Sequence, residues 1–365
     1  MTLSLSPTHS CPPTYRLVPV AAPTDTAAQE RSDAEGQAWP PVADAARLHF
    51  VSGKGGTGKS TVAAALALAL AAGGRRVLLV EVEGRQGIAQ LFDVPPLPPQ
   101  ETKIATAEGG GEVFALAVDL ETAFLEYLDM FYNLGFAGRA MKKIGAVEFA
   151  TTLAPGLRDV LLTGKIKECV VRTDKAGRPV YDAVVVDAPP TGRIGKFLDV
   201  TRAMSELAKG GPIHSQSQGV VRLLHSEQTV VHLVTLLEAL PVQETADAVT
   251  ELRAADLHLG TVIVNRNDSR FLPREAQADA AKGRIDADAV RSGLATAGIE
   301  LSDDDFAGLL TETIEHAATL AAQDESADRL DEVKVARMHL PALVDGVDLG
   351  GLYELAERLT EQGVR

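Results

Sequence analysis

The chain has 365 residues, enough for about two domains at roughly 150 residues each, and carries 50 Asp plus Glu against 35 Lys plus Arg, a net charge of −15 at pH 7. That sign disfavours a nucleic-acid partner, which needs a Lys/Arg surplus, and 45% hydrophobic residues exclude a chain disordered throughout. Two cysteines, Cys11 and Cys169, can neither build a disulfide scaffold nor by themselves supply four ligands to a structural zinc, and they suit a reducing, cytoplasmic compartment.

Residues 1–45 hold seven of the 19 prolines and many Ser, Thr and Ala, a composition that reads as a disordered tail. Its apolar patch Tyr15–Ala22 is a candidate docking peptide, and the tail lacks the basic and apolar regions of a signal peptide. From Leu48 onward, short apolar runs alternate with helical stretches. Strands are predicted at Leu48–Ser52, Arg76–Val82, Val113–Val118, Ala183–Asp187, Thr229–Leu236, Thr261–Asn265 and Val335–Leu340. Helices are predicted at Lys59–Ala72, Glu121–Asn133, Leu157–Arg172, Gln243–Ala255 and Leu349–Gln362. Strands apolar on both faces, interleaved with helices, imply an α/β fold: a mostly parallel twisted sheet of about seven or eight strands, with helices on both faces. No second core is visible, so residues 46–365 are expected to form one domain with helical insertions.

The longest apolar run, Val62–Ala72, has eleven residues, against about 20 for a membrane span. Membrane contact is therefore expected only peripherally, through a partner. The aromatic-rich stretch Phe124–Phe136 is read as core, with an exposed dimer or client face as the alternative. Gly210–Gly219 reads as a Gly/Ser/Gln linker. Residues 268–332 carry 16 Asp/Glu against six Lys/Arg, with helical spacing at Asp286–Ala297 and Phe306–Ala322, and read as an acidic, solvated helical appendage.

Gly53-Lys54-Gly55-Gly56-Thr57-Gly58-Lys59-Ser60 fits G-x-x-x-x-G-K-[ST] between an apolar strand and an Ala/Leu-rich helix. Glycines let the backbone wrap so that N–H groups converge on phosphate oxygens, and the helix start adds its positive dipole end. Lys59 is the candidate for β/γ-phosphate charge and Ser60 for Mg²⁺. Asp187 ends a buried strand, at the edge where a second metal ligand belongs. Asp187-Ala188-Pro189-Pro190-Thr191-Gly192 supplies a loop able to follow the γ-phosphate. The fold is thus read as a P-loop NTPase with ATP and Mg²⁺ as cofactors.

These residues resemble the ArsA/Get ATPase family, the arsenical-pump ATPases and the guided-entry ATPases for tail-anchored membrane proteins, over roughly residues 47–365. Lys54 is similar to the second-position lysine of the family's deviant loop, which implies that it reaches the nucleotide of an opposing subunit. Asp187–Gly192 followed by Phe197-Leu198 resembles switch II, and Glu244-Thr245 the element whose glutamate approaches the nucleotide. Asn265 looks like the adenine-reading asparagine. Leu340-Pro341 with Asp345-Gly346 resembles the loop that packs on the base. The nucleotide-binding set implied is Gly53, Lys54, Gly55, Gly56, Thr57, Gly58, Lys59, Ser60, Thr61, Glu244, Asn265 and Pro341. The catalytic set is Lys54, Glu83 and Asp187, and the metal set Ser60 and Asp187.

The departures are informative. Glu83 stands where the family's switch I has an aspartate that positions water, one methylene or about 1.5 Å longer, and a misplacement near 1 Å can cost about a hundredfold in rate. The zinc-binding C-x-x-C expected after Asn265 is absent, so no zinc is expected. Cys169 reads as a core residue, His225 and His232 as structural. Residues 196–228, where the family's client-binding helices fall, hold Met204 and few other large apolar side chains. The resemblance implies a homodimer, or a heterodimer with a related ATPase subunit, energising a membrane transporter or delivering a client. Glu83 also admits a nucleotide-sensing subunit without useful hydrolysis.

Overall fold

The computed structural model describes residues 38–84, 86–119, 122–123, 157–199, 212–343 and 346–365. Phe124–Phe136 and nearly all of Glu121–Asn133 lie outside them, as do Met204 and Asp345.

Eight strands form one sheet in the order β3-β4-β2-β5-β1-β6-β7-β8. They are β1 (Leu48–Gly53), β2 (Arg76–Glu81), β3 (Thr102–Thr106), β4 (Glu112–Ala117), β5 (Ala183–Asp187), β6 (Thr229–Thr235), β7 (Leu259–Asn267) and β8 (Arg337–Pro341). Every pairing is parallel except β3 with β4. β3 was not foreseen; its five residues are half-exposed or exposed, so no buried apolar run marks them.

Helix α1 (Pro41–Ala45) corrects the expected limit of the tail: Trp39 is 1% exposed and Ala43 is buried with it, so the folded unit starts before residue 46. A single aromatic side chain buries about 150–250 Å², a weight that average composition hides. α2 (Lys59–Ala71) is buried along its length from Val62 to Ala71. A helix apolar all round must be covered on both sides, and α2 lies in one core cluster with α3 (Gly87–Leu91), α11 (Leu349–Glu361) and one face of the sheet. The other face packs against α4 (Leu157–Val171), α5 (Thr191–Leu198), α6 (Pro212–Leu224) and α7 (Ala239–Ala254).

Helix α6 replaces the expected linker at Gly210–Gly219 from Pro212 onward: Val220, Leu223 and Leu224 bury one face, and tertiary packing overrides the low propensity of Gly and Ser. The acidic segment folds as α8 (Arg274–Ala280), α9 (Ala287–Thr296) and α10 (Asp303–Asp331). α9 buries no residue, and Ser302 caps α10 by accepting from Asp305 N. No helix among the described residues is long and apolar enough to cross a membrane.

Candidate functional site

The site lies at the carboxyl edge of β1, flanked by β5 and β6, where ligands of parallel α/β sheets bind. β1 runs into the loop Lys54–Gly58, and α2 begins at Lys59. Gly56 and Gly58 hold φ of +92° and +87°, open to glycine and strained for other residues. A Cβ on Gly53 would collide with the Val234 carbonyl oxygen, and one on Gly58 with the Asn265 amide. A Cβ on Gly55 or Gly56 would meet nothing within 4 Å, so the loop is open on that side.

The hydroxyl of Ser60 donates to Asp187 Oδ2 at 2.6 Å, and Lys59 Nζ stands 3.7 Å from Asp187 Oδ1. Asp187 is 8% exposed. A serine hydroxyl beside a carboxylate is a hard-oxygen donor set, which fits Mg²⁺, a cation bound through one or two carboxylates plus phosphate and water. Switch II is fixed at its start by Ser52, whose Oγ donates to the Pro189 carbonyl at 2.7 Å, and by Ala188 N donating to the Val51 carbonyl at 3.0 Å.

Lys54 Nζ pairs with Glu244 Oε1 of its own chain at 2.6 Å, and Thr191 Oγ1 donates to Glu244 Oε2 at 3.3 Å. Glu244, on α7, thus joins the phosphate loop to the first residue of α5. Asn265 Nδ2 donates to the Thr57 carbonyl at 2.9 Å, and Thr57 Oγ1 to the Lys54 carbonyl at 2.8 Å, so Asn265 braces the back of the loop. Thr61 follows on α2, half-buried. Pro341 ends edge strand β8 opposite Asn267.

Glu83 lies 3.7 Å from Arg193 of α5. The next segment is anchored twice: Gly87 N donates to Glu81 Oε1 at 3.1 Å, and Gln86 Oε1 accepts from Leu97 N at 2.7 Å. Arg193 and Glu81 were not singled out by the sequence, and Thr191 was named only as part of Asp187–Gly192. The signal available for Arg193 was its place beside that loop; for Glu81 it was a carboxylate ending an apolar strand. Cys169 is buried, with burial pushing its thiol up to about 12. His232 is buried as expected, and His225 hydrogen-bonds the Asp256 carbonyl from an exposed position.

The sheet order, the glycine loop and the Ser60–Asp187 pair define the class: an ATP-binding P-loop ATPase. A family model described as anion-transporting ATPase matches residues 46–224. The chain is 71% identical over 327 residues to ATPase BagA of Mycobacterium tuberculosis, covering 90% of this chain and 96% of that one. It is 23% identical over 254 residues to ATPase GET3 of Kluyveromyces lactis, covering 60% and 72%. The chain belongs to the ArsA/Get family of ATPases.

Proposed function

We propose that this chain is an Mg²⁺-dependent ATP hydrolase that works as a dimer, its nucleotide state energising a membrane transporter or handing over a client protein. The observation that carries the reading is the Ser60–Asp187 hydrogen bond beside Lys59 at the mouth of the glycine loop. In it the loop N–H groups and Lys59 hold the triphosphate, and Ser60 with Asp187 holds the metal. Held there, Mg²⁺ would supply positive charge to offset that of the triphosphate. Glu83 orients the attacking water and accepts its proton at a carboxylate oxygen. Lys54 leaves Glu244 and crosses to the nucleotide of the second subunit. Loops that close around ATP give each nucleotide state its own dimer surface.

The experiment is nucleotide titration and turnover on two variants. Lys59→Ala is expected to abolish ATP binding. Lys54→Ala is expected to retain binding and lose turnover; normal turnover in it refutes chemistry across the dimer, and a wild-type chain that binds no ATP refutes the whole reading.

The Glu83–Arg193 contact favours a second reading, a nucleotide-sensing subunit that pairs with an intact relative, because the longer carboxylate is already engaged across switch II. A measurable ATPase rate that Glu83→Asp leaves unchanged counts against it.

A further inference from the structure

Glu81 ends β2 and is 2% exposed. Its register partner on the adjacent parallel strand β5 is Asp187, and neighbouring strands lie about 4.8 Å apart. Val77 and Leu79 of β2, and Ala183 and Val185 of β5, belong to the core on the α2 side of the sheet. Strand alternation therefore turns Glu81 and Asp187 to that same side, where α2 begins with Lys59 and Ser60. Two carboxylates are thus placed side by side, out of water, at the one corner of the sheet where the proposed metal and triphosphate converge. Buried carboxylates persist only where cations and hydrogen bonds compensate their lost hydration.

Glu81 also has a mechanical connection. Its Oε1 accepts from Gly87 N at 3.1 Å, which ties the start of α3 back to the end of β2. Glu83 lies between these two anchors, with Gly84 at φ +65° and Gln86 at φ +56° on its carboxyl side. A shift of the Glu81 carboxylate is passed through Gly87 to the far end of the segment that carries Glu83, while the near end stays in β2.

We propose that Glu81 is a positioning residue that couples switch I to the metal: one strand from Asp187, it accepts hydrogen bonds from the water shell of the bound Mg²⁺ while it holds Gly87 and, through it, Glu83. This rests on the ATPase reading above. It gives switch I a reason to respond to the metal although Glu83 itself faces Arg193.

Glu81→Gln keeps the shape and the oxygen that accepts from Gly87 and removes the charge; Glu81→Ala removes both. A fluorescent ATP analogue is titrated onto the full chain in excess Mg²⁺ and in EDTA, and amide exchange is followed over Gly87–Leu91. For Glu81→Gln the expected result is an affinity in EDTA equal to wild type, a Mg²⁺-dependent gain in affinity smaller by about tenfold or more, and wild-type exchange in EDTA. Glu81→Ala should lose the Mg²⁺ gain and also exchange faster at Gly87–Leu91. If Glu81→Gln keeps the full Mg²⁺ gain, Glu81 is only a brace for Gly87 and the proposal is overturned while the ATPase reading stands. If wild type binds the analogue equally with and without Mg²⁺, the proposal is overturned; if it does not bind the analogue at all, the ATPase reading falls with it.

Discussion

Acid should destabilise this fold well before its carboxylates protonate, through two buried histidines next to its single tryptophan. His232 Nδ1 faces Thr261 N at 3.2 Å, and a backbone N–H can only donate, so the proton of His232 sits on Nε2. That proton points at His49 Nδ1, 3.1 Å away, which places the His49 proton on Nε2, donating to the Ala46 carbonyl at 3.2 Å. The relay is complete only with both rings neutral; an added proton sets donor against donor. Burial lowers the His49 pKa to about 4, with Arg75 pushing the same way against the Ala46 hydrogen bond, and burial holds His232 well below its usual value, helped by His49. Unfolded histidines titrate near about 6.5. The unfolded chain therefore takes up protons that the native state refuses, and stability is whole above about pH 6.5 and falls as the pH drops toward 4. Each pH unit between the folded and unfolded values is worth about 1.4 kcal/mol, so His49 alone costs about 2 kcal/mol at pH 5 and approaches about 3.4 kcal/mol below pH 4. His232 adds a loss of the same sign. Trp39 stacks on His232 at 5.2 Å between ring centroids, so its fluorescence reports the site during urea unfolding. Unfolding free energies measured from pH 8 to 5 should fall steeply in wild type. In His49→Phe/His232→Phe the slope between pH 6.5 and 5 should flatten, even though orphaning Ala46 O and Thr261 N costs about 1–3 kcal/mol each at every pH. Equal slopes in the two proteins would refute the reasoning.

Other outcomes follow from single contacts. Glu244→Gln keeps a hydrogen bond to Lys54 but removes the ion pair, so the ATP-dependent dimer proposed above should strengthen in sedimentation by up to about fivefold, since a partly exposed pair is worth about 0.2–1 kcal/mol; weaker assembly would mean that Glu244 helps rather than restrains Lys54. The Cys169 thiol, pushed up to about 12 chiefly by burial and then by Glu168 and Glu101, should resist iodoacetamide at pH 8 in the native chain and react in urea, as peptide mass spectrometry would show.

The central sheet and the phosphate loop were legible because their physics is local. Buried strands such as Val184–Val186 are continuous apolar runs, and only glycine tolerates the angles at positions 56 and 58. What escaped is set by partners outside the segment itself. Edge strand β3 buries little and takes its pairing from β4, Trp39 matters only once His232 and His49 lie beside it, and α6 is helical because one face finds a core. The candidate site divides the same way. Lys59, Ser60 and Asp187 follow from motif spacing and Asn265 and Glu244 from the family resemblance, but that these last two hold the loop of their own chain was not legible: Asn265 lies 208 positions from Thr57, and Glu244 lies 190 from Lys54. Those two contacts change how the motif reads. A second-position lysine suggests a group ready to meet another subunit's nucleotide, whereas here it is neutralised inside its own chain by a glutamate that also takes the Thr191 hydroxyl. In the dimer proposed above, moving Lys54 outward would strip Glu244 of its cation and leave it the Thr191 hydroxyl, so the same carboxylate on α7 would feel both the lysine and the start of α5.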